Sequence, residues 1–427
     1  ISDKCAFVKN HGATPEDHND PRLPLTSESA GAVDPPTSES AGAGSDQALP
    51  ADNLSVKRAN SDMANKPKSD ELDLTGSRLI ILTYIYDLII TGAEEEVQWV
   101  LKKLRERFEL QEEGGETGDV SYILSMEVKR DREAKSLTLN QEAAIKKIAR
   151  NLSITDDKPS VTTPMKAAPM GHLAQTDTQH INWPYLNAIG SLLHIARCTR
   201  PNIAYAVGAL ARHSSAYGTE HINAVKRCAQ YLYNTRKLCI RYHADEATEL
   251  HEPKVYEATG RKIDDDNQQA KVEAYADADY AMDPHTRRST SGGIVFMNGG
   301  PVVWSSKLQK IVALSTAEAE IIAATDITKE IIHIRLMLHE LGVRDSRPVQ
   351  IHEDNQACIL MGNGMKSSRK AKHYEVRLHF LQDSIKTGLI RFVYCETDKQ
   401  IANALTEPLL EDKFVYFRDL MLHAPLA

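Results

Sequence analysis

The chain has 427 residues, which is enough for two or three domains. Its formal net charge at pH 7 is −8, and residues 1–76 carry 13 acidic and 7 basic residues, so most of this charge lies near the N-terminus. The nearly neutral remainder excludes a protein that attracts nucleic acid through a global positive field, so any such surface must be a local basic patch.

The six cysteines show no C-x-x-C spacing. This pattern disfavours a zinc site or a disulfide framework, and reduced thiols are typical of an intracellular protein. The longest apolar run, 79–90, contains Asp87 and is too short to span a bilayer, and no signal peptide is visible. We therefore expect a cytoplasmic or nuclear protein that is not secreted and has no membrane partner.

The first segment, 1–76, is acidic and rich in Ser, Ala and Pro. It has few large apolar side chains whose burial could offset the entropy lost on ordering, so we expect a disordered tail. A seven-residue stretch, 26–32, is repeated at 37–43, which is typical of sequence under little structural constraint.

Residues 77–165 combine strand and helix patterns, and apolar spacing in 166–243 predicts two or three helices. Residues 244–272 are polar and acidic and are predicted to form a linker or an insertion. Within 77–165 we predict two strands in 78–91, a helix at 94–109, a strand pair at 120–130 and 136–140, and a helix at 141–153.

Residues 273–410 are predicted to form an α/β domain, and 411–427 a C-terminal tail. The domain should contain a mixed five-stranded sheet with flanking helices. Gly292, Gly293 and the stretch 298–300 are predicted to supply turns between its first three strands. The predicted strands are 272–280, 291–298, 301–306, 349–353 and 390–395, and the predicted helices are 315–341, 355–362 and 371–386.

Three acidic residues of this domain lie where a two-metal nuclease needs them. Such a site takes carboxylates from separate strands and helices and holds two Mg²⁺ ions about 4 Å apart around the scissile phosphate. Asp277 at the end of a first strand, Glu320 on a helix and Asp354 at the end of a later strand could supply that geometry. The neighbouring acids are interpreted as supporting or exposed residues: Asp279, Glu318 and Glu353.

The motifs around these acids occur in a specific order. They are Tyr275-Ala-Asp-Ala-Asp-Tyr-Ala-Met-Asp283, Arg287-Arg-Ser-Thr-Ser-Gly292, Gly300-Pro-Val-Val-Trp304, Asp354-Asn-Gln-Ala357 and Gln400-Ile-Ala-Asn-Ala-Leu-Thr-Glu-Pro-Leu409. They resemble the ribonuclease H domain of Ty1/copia-type retrotransposon polyproteins, which reads roughly Y-S-D-A-D-W-A-G-D, R-R-S-T-S-G, G-P-(I/V)-x-W and A-D-x-x-T-K-P-L.

This resemblance implies a ribonuclease H-like fold in which Asp277, Glu320 and Asp354 are catalytic and hold two Mg²⁺ ions. The fourth catalytic position, an Asp in the family, is Asn403 here, and Glu407 replaces the family's Lys. An amide offers a neutral carbonyl ligand but no charge, so metal binding should be weaker than in the family. The implied substrate is an RNA–DNA hybrid.

Two upstream motifs resemble the end of the family's reverse transcriptase. Tyr84-Ile-Tyr-Asp87 stands in place of Y-V-D-D, and Tyr122-Ile-Leu-Ser-Met-Glu-Val128 in place of Y-x-L-G-M-E-I, with Ser125 where the family has Gly. Tyr86 thus stands where the family has the first of two adjacent polymerase Asp residues. Its uncharged phenol cannot replace a hard anionic Mg²⁺ ligand. We expect no upstream strand in 1–76 to carry the other Asp. Asp87 is interpreted as a solvated turn residue, and no polymerase activity is expected.

The strongest basic patch is the run from Lys366 to Lys372. It lies between Asp354 and the last predicted helix, where a nucleic-acid backbone could pass. A solvated loop is an equally compatible interpretation of this run. His373 and His379 lie six residues apart on the last predicted helix, which is a poor spacing for two metal ligands on one helix face. The predicted nucleic-acid contacts are Lys366, Arg369, Lys370, Lys372 and His373.

The sequence therefore predicts a chain with α/β architecture. The part that resembles the end of the reverse transcriptase, 77–165, is expected to be a palm remnant with α+β architecture. Its expected parts are a partial reverse-transcriptase palm and thumb, a helical connection and a ribonuclease H-like domain. We expect a polyprotein fragment that has lost its polymerase site and partly retains a ribonuclease H-like two-metal site, which cuts RNA in RNA–DNA hybrids if it is active. The alternative is a catalytically inactive remnant that acts as a weak nucleic-acid binder or a host-adopted interaction module.

Overall fold

The computed structural model describes ten stretches of the chain, and the chain divides into two compact units, Ile1–Glu112 and Glu113–Ala427. Within the described stretches, no helix combines the length and apolar character needed to cross a membrane. The described residues are 3–10, 79–85, 87–108, 110–113, 120–156, 159–167, 182–244, 272–343, 347–364 and 374–424.

The described residues of the first unit form a four-stranded sheet with strand order β2-β3-β1-β4 and one helix. The predicted hairpin and helix are confirmed, and Ile90, Val97, Val100 and Leu101 form the buried core between them. Its elements are β1 (Asp3–Asn10), β2 (Ile80–Tyr84), β3 (Asp87–Ala93), α1 (Glu94–Arg105) and β4 (Leu110–Glu113).

Strand β1 lies within 1–76, where the sequence predicted a disordered tail and no strand to carry a second polymerase Asp. It pairs with β3 along seven residues, from Asp3 opposite Ala93 to Lys9 opposite Asp87. The composition of the whole segment obscured a short run, 5–8, whose residue types suit a strand. The rest of the predicted tail, 11–76, lies outside the described residues.

The second unit begins with three antiparallel strands, and a tight turn joins the first strand to the second. One long strand at 120–130 was predicted in place of the first two. That prediction is wrong because Leu124 and Ser125 have φ angles of 49° and 64°, which reverse the chain within two residues. Strand β8 was not predicted and completes a sheet of order β5-β6-β7-β8. The elements are β5 (Tyr122–Ile123), β6 (Met126–Asp131), β7 (Ser136–Asn140), α2 (Glu142–Asn151) and β8 (Ile240–His243).

The described residues between 182 and 239 contain three α-helices, where two or three were predicted: α3 (Tyr185–Cys198), α4 (Ala204–Ala211) and α5 (Thr219–Asn234). The fully buried Arg200 guanidinium joins them by donating to the Thr235 carbonyl at 3.0 Å and to Asn202 Oδ1 at 3.2 Å. A buried cation is tolerated when its donors are satisfied in this way.

The predicted mixed five-stranded sheet is confirmed, with strand order β11-β10-β9-β12-β13. The first three strands along the chain pair antiparallel, whereas β12 pairs parallel with β9 and β13. The strands are β9 (Val272–Ala278), β10 (Thr290–Met297), β11 (Gly300–Leu308), β12 (Val349–Glu353) and β13 (Ile390–Tyr394), and the helices are α6 (Thr316–Glu340), α7 (Gln356–Gly362) and α8 (Glu375–Lys386).

The chain ends with a short 3-10 helix, Ile401–Leu405, and α9 (Glu411–Met421). Residues 411–421 were predicted to belong to a tail, but Phe414, Phe417 and Met421 are buried in one core with helices α3 and α5. The apolar spacing of three and four residues gives α9 a buried face and explains the difference. Residues 245–271, which cover most of the predicted linker, lie outside the described part of the chain.

Candidate functional site

Asp277, Glu320 and Asp354 converge at one edge of the five-stranded sheet. Their carboxylate oxygens lie within 4.8 Å of one another. β9 and β12 are parallel neighbours in which His352 pairs with Tyr275, so the same register continued by two residues brings Asp354 beside Asp277. Glu320 reaches them from α6, which packs against β9.

The start of α6 is fixed by local hydrogen bonds that set the direction of Glu320. Ser315 Oγ accepts from the Glu318 N–H at 3.2 Å, and Glu318 Oε2 accepts from the Leu314 N–H at 2.7 Å. Glu318 is therefore a helix-capping residue, not an exposed acid. Small side chains allow α6 to approach the strand end closely: Ala278, Ala313, Ala319 and Ala323.

The cluster is buried, and this burial dominates its electrostatics. Burial raises the pKa of Asp277 to about 7, the Thr406 hydroxyl opposes this shift, and the charges of Asp354 and Glu407 add to it. Burial also raises the pKa of Glu320 well above its ordinary value. Shifts of this kind, which arise from burial and from neighbouring negative charges, are common at functional sites.

Glu353 is a fourth carboxyl group beside the cluster, and it is fully buried, not exposed. Its Oε1 accepts from the Asn355 N–H at 3.1 Å, while Oε2 has no hydrogen-bond partner among the described residues. Burial raises its pKa well above the ordinary value, and the charges of Asp354 and Asp277 add to the shift. Its sequence position next to Asp354 gave no sign of this, because strand periodicity does not reveal depth within the fold.

The segment 397–406 contacts the cluster and its strands through three polar side chains, those of Thr397, Gln400 and Thr406. Thr406 Oγ1 donates to Asp277 Oδ2 at 2.5 Å, and Thr397 Oγ1 donates to Asp354 Oδ2 at 2.7 Å. Gln400 Nε2 donates to the carbonyls of Ala276 and His352, at 2.9 Å and 3.2 Å. Gln400 and Thr406 belong to a motif quoted above, but sequence reasoning assigned them no role.

Asn403 lies in the 3-10 helix of this segment and is 4% exposed. Its Nδ2 donates to the Thr397 carbonyl at 2.9 Å. The side-chain amide of Asn403 is thus connected to Asp354 through Thr397. The backbone carbonyl of Asn403 accepts from the Thr406 N–H at 3.2 Å.

Gly292 lets the 3-10 helix approach β10. A Cβ atom at this position would lie 2.7 Å from Thr406 Cγ2 and 2.8 Å from the Ala402 carbonyl oxygen. Gly292 and Gly293 were predicted to supply turns, but both lie inside β10, and close packing is the reason for glycine there. The predicted turn at 298–299 is confirmed, with φ angles of 50° at Asn298 and 81° at Gly299.

Asp87 and Asp279 are two further acids that the sequence singled out and that the structure describes. Asp87 is the first residue of β3, where the register places it opposite Tyr84 and Lys9. Asp279 accepts from the Thr290 N–H, and burial raises its pKa to about 6, so it supports the turn after β9. Tyr86, Lys366, Arg369, Lys370, Lys372 and His373 lie outside the described residues.

The donor set of the cluster fits a hard divalent cation. Three carboxylates meet, and Glu320 Oε2 is buried without a hydrogen-bond partner among the described residues. Oxygen ligands of this kind suit Mg²⁺, Mn²⁺ or Ca²⁺ and do not suit soft metals. Asp277, Glu320 and Asp354 could therefore hold such an ion.

A search against protein-family models found no match. The Retrovirus-related Pol polyprotein from transposon TNT 1-94 of Nicotiana tabacum is 30% identical over 354 residues, covering 80% of this chain and 24% of the relative. The Retrovirus-related Pol polyprotein from transposon RE1 of Arabidopsis thaliana is 32% identical over 343 residues, covering 80% of this chain and 21% of the relative. The chain thus spans less than a quarter of the length of these relatives.

Among solved structures, LC11-RNase H1 in complex with RNA/DNA hybrid is similar with a TM-score of 0.25 and 13% sequence identity. The similarity covers 32% of this chain and 94% of that protein.

Proposed function

Because this chain belongs to the Ty1/copia-type retrotransposon Pol polyproteins, we propose that its ribonuclease H-like domain cuts the RNA strand of RNA–DNA hybrids with the help of divalent cations. The observation that carries the proposal is the convergence of Asp277, Glu320 and Asp354 within 4.8 Å. Carboxylates brought together and buried in this way repel one another when they are ionised, and a bound cation would balance that repulsion.

Each side chain has a separate task in this proposal. Asp277, Glu320 and Asp354 hold the cation, which when bound activates water and stabilises the leaving oxygen. Thr406 and Thr397 orient Asp277 and Asp354 through the hydrogen bonds described above. Gln400 holds the ends of β9 and β12 at a fixed separation, so that both carboxylates keep their positions.

The substrate class follows from the family and from the local charge of the sequence. Lys366, Arg369, Lys370, Lys372 and His373 follow α7 in the chain and would contact the phosphate backbone of the hybrid. We propose an intracellular location, which agrees with the free thiols of Cys198, Cys228, Cys239, Cys358 and Cys395.

Polymerase activity is not part of this proposal. The register of the first unit places an aromatic residue and a lysine, Tyr84 and Lys9, opposite Asp87. A polymerase palm needs at least two carboxylates to align its metals, and Asp87 has no acidic residue at its register position on either neighbouring strand.

A second candidate function is nucleic-acid binding without cleavage. It is favoured by Asn403 and Glu407, which remove one negative charge from the family motif and reverse a positive one. The Glu407 charge also raises the pKa of Asp277, so it opposes ionisation of the cluster. In this case the fold would persist as a binder of hybrids with a weakened metal site.

One experiment separates the two candidates. The purified chain is incubated with a labelled RNA–DNA hybrid in Mg²⁺ or Mn²⁺, and binding of the hybrid is measured in parallel. We expect metal-dependent cleavage that is lost in Asp277→Asn and kept in Asp326→Asn, which changes an exposed acid ion-paired with Lys329 at 3.1 Å. Hybrid binding without cleavage at any metal concentration would support the second candidate instead.

A further inference from the structure

We propose that Asn403 is a positioning residue: its amide holds the Thr397 carbonyl, and this contact places the Thr397 hydroxyl on Asp354. The inference rests on the proposed function and deepens it, because it gives the altered family position a task other than metal ligation. Two hydrogen bonds in series carry it, from Asn403 Nδ2 to Thr397 O at 2.9 Å and from Thr397 Oγ1 to Asp354 Oδ2 at 2.7 Å.

The first bond requires an N–H donor at position 403. Asn supplies two N–H donors, whereas an ionised Asp only accepts hydrogen bonds and would face the Thr397 carbonyl with a second acceptor. Asn403 is 4% exposed, so water could not easily separate two such acceptors. A buried polar group that is left without a hydrogen-bond partner lowers the free energy of unfolding.

The second bond matters because Thr397 lies in an exposed loop between β13 and the 3-10 helix. Its hydroxyl can hold Asp354 only while the loop backbone is held in place. The Asn403 amide provides that restraint from a buried helix whose Gln400 is bonded to β9 and β12. Asp354 is thereby tied to the same segment that holds Asp277 through Thr406.

The segment 397–406 therefore acts as a clamp on two of the three carboxylates. A hydroxyl that donates to one carboxylate oxygen fixes the orientation of the other oxygen, which a cation needs for its coordination geometry. Loss of either bond in the series should loosen Asp354 without changing the number of charges in the cluster.

The test is a double-mutant cycle on cation affinity. Mn²⁺ binding to the full chain is measured by electron paramagnetic resonance for Thr397→Val, Asn403→Ala and the double variant. Thr397→Ser keeps the hydroxyl and serves as the conservative rescue. Thr387→Val is the matched control, because the Thr387 hydroxyl donates to the Asp383 carbonyl of its own helix, at 2.9 Å.

We expect each single variant to weaken Mn²⁺ binding about 10-fold, as loss of a supporting hydrogen bond does at other metal sites. The double variant should be no weaker than either single variant, because the two bonds act in series on one carboxylate. Thr397→Ser and Thr387→Val should bind like the unchanged chain. For hybrid cleavage, kcat should fall while KM for the hybrid stays the same.

Additive losses in the double variant would overturn the proposal, and so would unchanged Mn²⁺ affinity in Asn403→Ala. If the unchanged chain binds no cation, the proposed function fails, and the crystal structure of Asn403→Ala decides the inference alone. The proposal then requires the bond from Thr397 Oγ1 to Asp354 Oδ2 to be broken. A preserved bond in that variant would refute it.

Discussion

Asp277 and Asp87 are both carboxylates at the ends of apolar strands, but their surroundings differ. Asp277 is 7% exposed and meets two further carboxylates from a parallel strand and a helix. Asp87 is only partly buried and has Tyr84 and Lys9 at its register positions on the neighbouring strands. A cluster of carboxylates therefore depends on the several elements that converge on it, and a single acid at the end of one strand does not form such a cluster.

The largest effect expected from this comparison is the loss of cleavage in Asp277→Asn. Removal of one of the three proposed ligands should lower metal-dependent hybrid cleavage by about 100-fold or more, which corresponds to roughly 3 kcal/mol of transition-state stabilisation. Asp87→Asn is the same chemical change at the other site and should leave cleavage unaltered. Equal losses in both variants, measured by single-turnover kinetics, would contradict the distinction between the two regions.

The second effect is a pH dependence of stability in the metal-free chain. The folded pKa of Asp277 is about 7, whereas an Asp in an unfolded chain titrates near about 3.9. The folded state thus binds more protons between these values, and its free energy of unfolding should fall, by a few kcal/mol in order of magnitude, as pH rises from about 4 to about 7.

Thermal unfolding in the presence of a chelator checks this expectation across the same pH range. Asp277→Asn should flatten the dependence in part, since the raised pKa values of Glu320 and Glu353 act in the same direction. Added Mg²⁺ should raise the unfolding temperature more at pH 8 than at pH 5, because the ion competes with protons for the carboxylates. Stability that rises with pH in the metal-free chain would contradict the sign argued here.

The third effect concerns the packing that supports the cluster. Gly292→Ala would place a methyl group against Thr406 and Ala402, and we expect it to cost about 1–3 kcal/mol of stability and to reduce cleavage. Gly190→Ala is the matched control, because a Cβ there meets nothing within 4 Å inside α3. The control should gain about 0.5–1 kcal/mol from helix propensity. Similar unfolding temperatures for the two variants would argue against a tight contact at Gly292.

The smallest effect lies in the reverse-transcriptase-like region. Ser125 has a φ angle of 64° where the family has Gly, so Ser125→Gly should stabilise the fold by about 0.5–1 kcal/mol. Ser136→Gly, at the buried start of β7, should instead destabilise it. Denaturant midpoints measure both changes. A destabilising Ser125→Gly would show that the turn between β5 and β6 does not strain this residue.

Local patterns were sufficient to predict most of the secondary structure. The five strands and three helices of the C-terminal sheet begin and end within a few residues of the predicted bounds, because alternating and helical apolar spacing is a local property. The predictions failed where the signal was short or ambiguous. Strand β1 was hidden by the composition around it, and the turn at Leu124–Ser125 contains no glycine.

The sequence by itself determined the family and the order of the elements, and it identified Asp277, Glu320 and Asp354 as the acids that come together. All of this is encoded in short motifs with fixed spacing. Only the tertiary structure decided the burial of Glu353, the packing role of Gly292 and the clamp formed by Thr397, Asn403 and Thr406. The bonds that tie the clamp to the carboxylates join residues 43 and 129 positions apart, and such contacts arise only when parallel strands and their connecting helices pack together.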